Sequence, residues 1–340
     1  MTEIAQKYLG SLVDLTHHGH IVVADTEGRI CYSYGDPERV TFLRSSAKPL
    51  QALAVAQSGA LEHYGITDRE FAVMCASHNG EPFHVEAVRS ILAKAGLSEH
   101  DLRCGAQYPM YVPAEDALKL QGVPRMAIYC DCSGKHAGML ITAAHNGESI
   151  KNYDAPSHPV QKRILSLLAE WSGMPKNEIV TATDGCGVPV HAMPLFRAAR
   201  MFARLAQPDS LPAKWKSPAT RVVNAMAEHP EMIAGSERFC TELVSSFGAR
   251  LIGKSGAGAF YAVGIRGCGL GIAVKMEEGA SQIIPYAVLE TLGQMEVITR
   301  AEADALPCYR DKQVYNSKKE AVGRIAPVFR LNHVTNPNLF

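Results

Sequence analysis

The sequence predicts an α+β fold in which the two ends of the chain build one antiparallel sheet and the middle supplies a mostly helical part. Three observations predict it. Two hairpin signals lie far apart: "HIVVAD" and "RICYSY" flank "TEGR" near residues 20–34, and "GAFYAVGI" and "LGIAVKM" flank "RGCG" near residues 258–276. Between them apolar residues recur mainly at helical spacing. No repeat, low-complexity tract or Pro/Gly/Ser linker splits the chain. Residues 1–44 with 250–340 therefore form the sheet part and 45–249 the helical part of one discontinuous unit.

Each element follows from local pattern. The hairpin strands are rich in β-branched and aromatic residues and are bounded by Gly, Asp and Arg turns. Helical spacing covers 46–59, 84–95 ("HVEAVRSILAKA"), 158–172 ("HPVQKRILSLLAEWS"), 191–207 and 218–228. After the second hairpin, "ASQIIPYAVLETLGQM" reads as one more helix with Pro285 in its first turns, where proline is tolerated. The tail "LNHVTNPNLF" reads as a dimer arm or a frayed end. A site is expected at the seam between the two parts.

Composition narrows the function. At 340 residues, 47% of them hydrophobic, the chain can bury a large core without disulfides. Lys plus Arg (34) equals Asp plus Glu (34), so there is no bulk field to draw it to nucleic acid or an anionic membrane. Small neutral or zwitterionic ligands fit better. The start "MTEIAQKYLGSLVDL" has no basic-then-apolar leader, and no apolar run reaches the ~20 residues a membrane span requires, so the expectation is a cytoplasmic protein. The nine cysteines are an odd number scattered through a long chain, which argues against a disulfide scaffold. Cys130, Cys132 and Cys186 differ from the rest in sitting among Gly, Asp, Ser and Lys.

The chemistry-bearing residues fall in an ordered set. Ser45 and Lys48, three apart in "FLRSSAKPLQALAV", share one face at a helix start, where free N–H groups and the dipole favour a developing anion. Alone this reads as a capped helix with a snorkelling lysine rather than as a nucleophile with its base. Ser77-His78-Asn79 then closes the apolar stretch "EFAVMCAS", and Lys254-Ser255-Gly256 precedes the second hairpin. S-x-x-K, S-x-N and K-[ST]-G in that order, on a helix start, a loop and a strand edge, form the pattern of the penicillin-binding and serine β-lactamase architecture. Ser45 is then the nucleophile and Lys48 its base, with Ser77 and Lys254 a second Ser–Lys pair on the opposite wall. Gly256 and Gly258 leave strand-edge N–H groups for an oxyanion, and Asn79 offers both a donor and an acceptor.

Two further runs lie outside that pattern. "YCDCSGKHAGM" (129–139) sets Cys132 and Lys135 at the spacing of Ser45 and Lys48, and "TDGCGVPVHAMP" (183–194) sets Asp184 and Cys186 in a glycine turn. Two thiols, a lysine and a carboxylate suit a metal, a reactive cysteine or a pocket for the charged ends of an amino acid, but C-x-C with a distant third Cys is no standard zinc spacing and the plain reading is two glycine turns with incidental cysteines.

Together "RSSAKPLQALA", "CASHNGEPFHVEAV", "CDCSGKHAGML", "TDGCGVPVHAMPL" and "KSGAGAF" resemble the L-asparaginase II family of Rhizobium-type, class 3 asparaginases, from about Thr16 to about Ile325. The resemblance implies a serine β-lactamase-like and glutaminase-like fold, hydrolysis of L-asparagine to L-aspartate and ammonia, and a homodimer. It implies two Ser–Lys tandems, Ser45 with Lys48 and Ser77 with Lys254, with Arg44 beside the first. It also implies zinc on Cys132, Lys135 and Cys186, labile and without an organic cofactor, and Asp184 as a substrate-contacting acid. Asp184 would take the substrate ammonium, and Arg44 or Lys254 its α-carboxylate. Two departures bear on substrate preference: Gly258 follows Ala257 where the family carries glutamate, and 209–231 is less similar than its flanks. The alternatives are a glutaminase or penicillin-recognising hydrolase on the same scaffold, and a non-catalytic zinc- or amino-acid-binding protein.

Overall fold

The architecture is taken from a computed structural model that describes residues 2–248, 250–310 and 313–334. The tail read as an arm or a frayed end falls mostly on 335–340, outside the described residues. The strands, in chain order, are β1 (Glu3–Leu9), β2 (Leu12–Asp25), β3 (Ile30–Tyr34), β4 (Val40–Phe42), β5 (Val180–Thr183), β6 (Pro189–Pro194), β7 (Leu251–Gly256), β8 (Phe260–Ile265), β9 (Leu270–Met276), β10 (Gln313–Tyr315), β11 (Ala321–Pro327) and β12 (Asn332–His333).

Both ends of the chain enter one mixed-length antiparallel sheet, ordered β10-β11-β1-β2-β9-β8-β7, with β3 on β2 and β12 on β3. The 14-residue β2 holds it together by changing partners along its length. Its first half pairs with β1, and Gly19–Asp25 pair with Met276–Leu270 of β9. The expected hairpins are β2–β3 and β8–β9. Ile21, Val22, Val23 and Ala24 are fully buried, and so is most of β8 and β9, so this half of the sheet is covered on both faces.

One cover comes from the middle of the chain. The helix Leu195–Leu205 lies on β2, β8 and β9, and it approaches so closely that a Cβ on Gly271 would sit 2.1 Å from Ala199 O. Glycine there is a packing requirement. The helix Ile284–Gln294 also packs on the sheet, as expected from its apolar run.

The helical part is organised around Lys48–Gln57. This helix is buried from Lys48 to Val55 and is surrounded by Asp68–Met74, Ser133–His145, Pro159–Ser172 and Ala213–Glu228. An all-round apolar helix is stable only in such a place. Pro49 at its start costs nothing, because the first N–H groups have no partner in the helix anyway.

Two expectations need correcting. The helical pattern over 191–207 begins only at Leu195, because His191–Pro194 belong to β6 of a small sheet ordered β4-β6-β5. Pro194 disfavours helical geometry in the residue before it, which ends any helix running through it. The helix expected at 46–59 spans Lys48–Gln57 and is preceded by a 3₁₀ turn over Arg44–Ala47, so Ser45 and Lys48 stand in different elements.

Candidate active site

The 3₁₀ turn carrying Ser45 is fixed from both sides. Leu43 N–H donates to His191 O at 3.0 Å, tying the turn to β6, and Ser46 Oγ donates to Leu43 O at 2.7 Å. On the other side β7 comes so close that a Cβ on Gly256 would lie 2.5 Å from Leu43 O. Gly256 therefore lets the sheet edge meet the helix start. Arg44 adopts φ 51°, a left-handed conformation that costs a non-glycine residue energy and is held by its surroundings. Its guanidinium reaches Asp184 Oδ1 at 2.8 Å. Asp184 sits in the turn before β6, its Oδ1 accepting also from Gly185 N–H at 2.8 Å.

Ser77 follows the helix Asp68–Met74, which opens with a reciprocal Thr67/Glu70 capping box. Ser77 N–H donates to Ile233 O at 2.9 Å and Asn79 N–H to Ala234 O at 3.0 Å, so the loop is fastened to the short helix Glu231–Ala234. Lys254 projects from the middle of β7, opposite Ala262 of β8.

The two lysines converge on one hydroxyl. Lys48 Nζ and Lys254 Nζ each lie 2.9 Å from Ser77 Oγ. Lys48 Nζ also donates to Asp131 O at 3.2 Å and lies 3.5 Å from Asp131 Oδ2, while Lys254 Nζ donates to Ser255 O at 3.0 Å. The Lys48 partnership expected with Ser45 is thus made with Ser77, and among the described residues the half-buried Ser45 hydroxyl has no hydrogen bond.

The lysines' environments differ. Burial in apolar surroundings pulls Lys254 down to about 8, with Lys48 and Arg238 pushing the same way and Cys240 and Asp131 opposing. Burial works against charge on Lys48 too, but the Cys132 sulfur and the Asp131 carboxylate outweigh it and raise its pKa.

Cys132, Lys135 and Cys186 also come together, all buried. Lys135 Nζ donates to Cys186 Sγ at 3.1 Å. Hydrogen bonding with Cys130 and then Cys186 holds the Cys132 thiol well below its usual range, and the Cys186 thiol is pushed up by Cys132. Burial opposes charge on Lys135, but the two sulfurs outweigh it and raise its pKa. The two sulfurs are donors that zinc takes, and Lys135 could join them only as the neutral amine, after giving up the proton that the sulfurs now hold on it.

Several participants were missed by the sequence reading. Asp131 partners Lys48, and its only sequence signal is its position between two cysteines. His78, fully buried, shares a 2.9 Å hydrogen bond with Ser133 Oγ and stacks on His84, fastening the Ser77 loop to the helix that follows Cys132. Cys240 Sγ lies 3.3 Å from both Ser255 N and Ser255 Oγ, and with Arg238, Ser255 and Gly256 it lines a cavity of about 150 Å³. No motif spacing announces it. Asn79 is buried, with its Oδ1 accepting from Glu81 N–H at 3.4 Å.

The model of the family described as L-asparaginase II matches residues 5–327, nearly the whole chain. No curated protein matches the sequence. Among solved structures, Mglu in its native form is 13% identical, with TM-score 0.46, over 82% of this chain and 64% of that one. A β-lactamase from Mycobacterium bovis is 16% identical, with TM-score 0.44, over 81% of this chain and 94% of that one. This chain spans less than two thirds of the length of Mglu.

Proposed function

The chain belongs to the L-asparaginase II family, a family of amidohydrolases acting on an amino-acid amide, and from that premise we propose that it hydrolyses L-asparagine to L-aspartate and ammonia through an ester on Ser45. The observation that carries the reading is the meeting of Lys48 and Lys254 on Ser77 Oγ, 2.9 Å from each. A hydroxyl has one hydrogen and can give it to only one of two amines. With Lys254 neutral, Ser77 donates to Lys254 and accepts from the Lys48 ammonium. A proton passed from Lys48 to Ser77 and from Ser77 to Lys254 leaves Lys48 neutral, with total charge unchanged. Neutral Lys48 then takes the proton of Ser45 as Ser45 attacks the side-chain amide carbon.

The same chain returns protons. Ammonia leaves with a proton delivered from the lysines, and water hydrolyses the β-aspartyl ester with Lys48 again the base. Backbone N–H groups at the helix start and at Gly256 receive the oxyanion.

The Arg44–Asp184 ion pair gives amino-acid selectivity. Unliganded, the two charges satisfy each other; an α-amino acid offers an ammonium for Asp184 and a carboxylate for Arg44. Cys132, Lys135 and Cys186 would hold zinc, which when bound supplies a Lewis acid beside the site. Asn79 offers the substrate a donor and an acceptor, and a homodimer is the expected assembly.

A second reading makes Ser77 the nucleophile, favoured by the same two hydrogen bonds, since Ser77 already has its bases in place. Release of ammonia from L-asparagine, L-glutamine and a β-lactam, measured side by side, tests the substrate. Turnover of asparagine at least tenfold faster than the others is expected. Faster turnover of glutamine or the β-lactam would overturn the assignment, and no turnover of any would return the chain to a binding role.

A further inference from the structure

The run Cys130-Asp131-Cys132 carries a second donor set, of which the reading above uses Asp131 only beside Lys48, Cys132 only in the first metal group, and Cys130 not at all. One ligand atom from each of the three residues lies within 4.8 Å of the other two. Cys130 is fully buried, but its sulfur is not packed as a plain hydrophobe. Gln107 Nε2 donates to Cys130 Sγ at 3.2 Å, and Asp131 Oδ1 lies 3.8 Å from the same sulfur. The other Asp131 oxygen lies 3.5 Å from Lys48 Nζ. Cys132 alone belongs both to this set and to the group with Lys135 and Cys186.

From this geometry we infer that Cys130, Asp131 and Cys132 form a second position for a thiophilic divalent cation of the zinc or cadmium class, joined to the first through the Cys132 sulfur. Zinc takes sulfur at ~2.3 Å and carboxylate oxygen at ~2.0 Å, which sets such donors ~3.5–4 Å apart around a common ion. The Cys130–Asp131 separation already has that size. Two sulfurs and one carboxylate favour soft or borderline cations over calcium or magnesium. The Gln107 N–H on Cys130 is the kind of outer hydrogen bond that orients a metal-bound thiolate. The Lys48 ammonium beside Asp131 offsets the excess negative charge of two thiolates and a carboxylate around a dication. The Asp131 side chain, 26% exposed, gives the ion a way in. Each ion displaces thiol protons to solvent. The inference rests on the zinc reading above only through the shared Cys132.

The test counts ions on the full chain. Protein stripped with chelator and reloaded with Cd²⁺ is followed by thiolate-to-metal absorption in the ultraviolet and by native mass spectrometry. Wild type is expected to bind two ions, and Cys130→Ser and Cys186→Ala one each. Asp131→Asn, which keeps side-chain shape, is expected to weaken one ion by at least tenfold with an unchanged circular dichroism spectrum. One ion in wild type that persists in Cys130→Ser and is lost in Cys186→Ala overturns this position and leaves the first standing. One ion lost in Cys130→Ser and kept in Cys186→Ala does the reverse, and none removes both. Two ions unaffected by Asp131→Asn would also overturn the three-donor site.

Discussion

Lys254 and Lys135 are both buried lysines, and their surroundings push them in opposite directions. Lys254 meets the Ser77 hydroxyl and a backbone carbonyl, and burial lowers it to about 8. Lys135 meets two sulfurs, which raise it in spite of equal burial. Burial alone favours the neutral amine; the neighbouring Cys132 and Cys186 sulfurs reverse that. The first environment suits a lysine that exchanges protons. The second suits one whose proton is released only when a metal takes its place.

The largest expected effect comes from removing the hydroxyl that the proton chain serves. Ser45→Ala should lower kcat for L-asparagine by at least ~10⁴-fold. Steady-state ammonia release checks this, and substantial remaining turnover would break the assignment of roles.

Next come the groups of the chain itself. Ser77→Ala and Lys254→Met should each cost ~10²–10⁴ in kcat, as expected for proton-transfer groups. Because they act as one unit, the double variant should be little worse than either single one. Fully additive losses would mean that the 2.9 Å contact is only structural.

A smaller effect reports Lys254 directly. Its function needs the neutral amine, so kcat/KM should rise as pH increases through about 8 and level off above it. The groups facing it include Cys240 from the helix Phe239–Phe247, Lys48, Asp131, Arg238 and the buried Cys75 that follows the helix Asp68–Met74. Cys240 raises the Lys254 pKa, so Cys240→Ala should move the rise to lower pH. An unmoved or upward-moved profile would show that the ionisation belongs to another group.

The smallest effect on this profile should come from the other lysine's region. Cys186→Ala should lose the ion held with Lys135, measured by elemental analysis, while the midpoint stays near 8. A midpoint that follows the metal would erase the distinction between the two lysines.

The sequence made the central pieces legible for particular reasons. The second half of β2, β8 and β9 announced themselves because buried strands need β-branched runs, and half-buried β3 because its aromatic and apolar residues follow the Gly-containing turn that closes the first hairpin. The short β4, β5, β10 and β12 did not, since two to four partly exposed residues leave no periodicity. Ser77 and Lys254 were visible as motif members, and their hydrogen bond is present. The Lys48 contact with Ser77 was not visible, because a four-carbon stem leaving a buried helix goes where tertiary packing offers acceptors, and Asp131 and Ser77 offer them. Cys240 was hidden for a related reason: it reaches Ser255 only because Phe239–Phe247 packs on β7.

The most direct test of the account is to locate the covalent intermediate. Wild type and Ser77→Ala would be acid-quenched during turnover of L-asparagine, digested, and mapped by mass spectrometry for a serine carrying one aspartyl group. The account predicts the ester on Ser45 in both proteins, accumulating more slowly in Ser77→Ala. An ester on Ser77 in wild type, and none on Ser45, would contradict it.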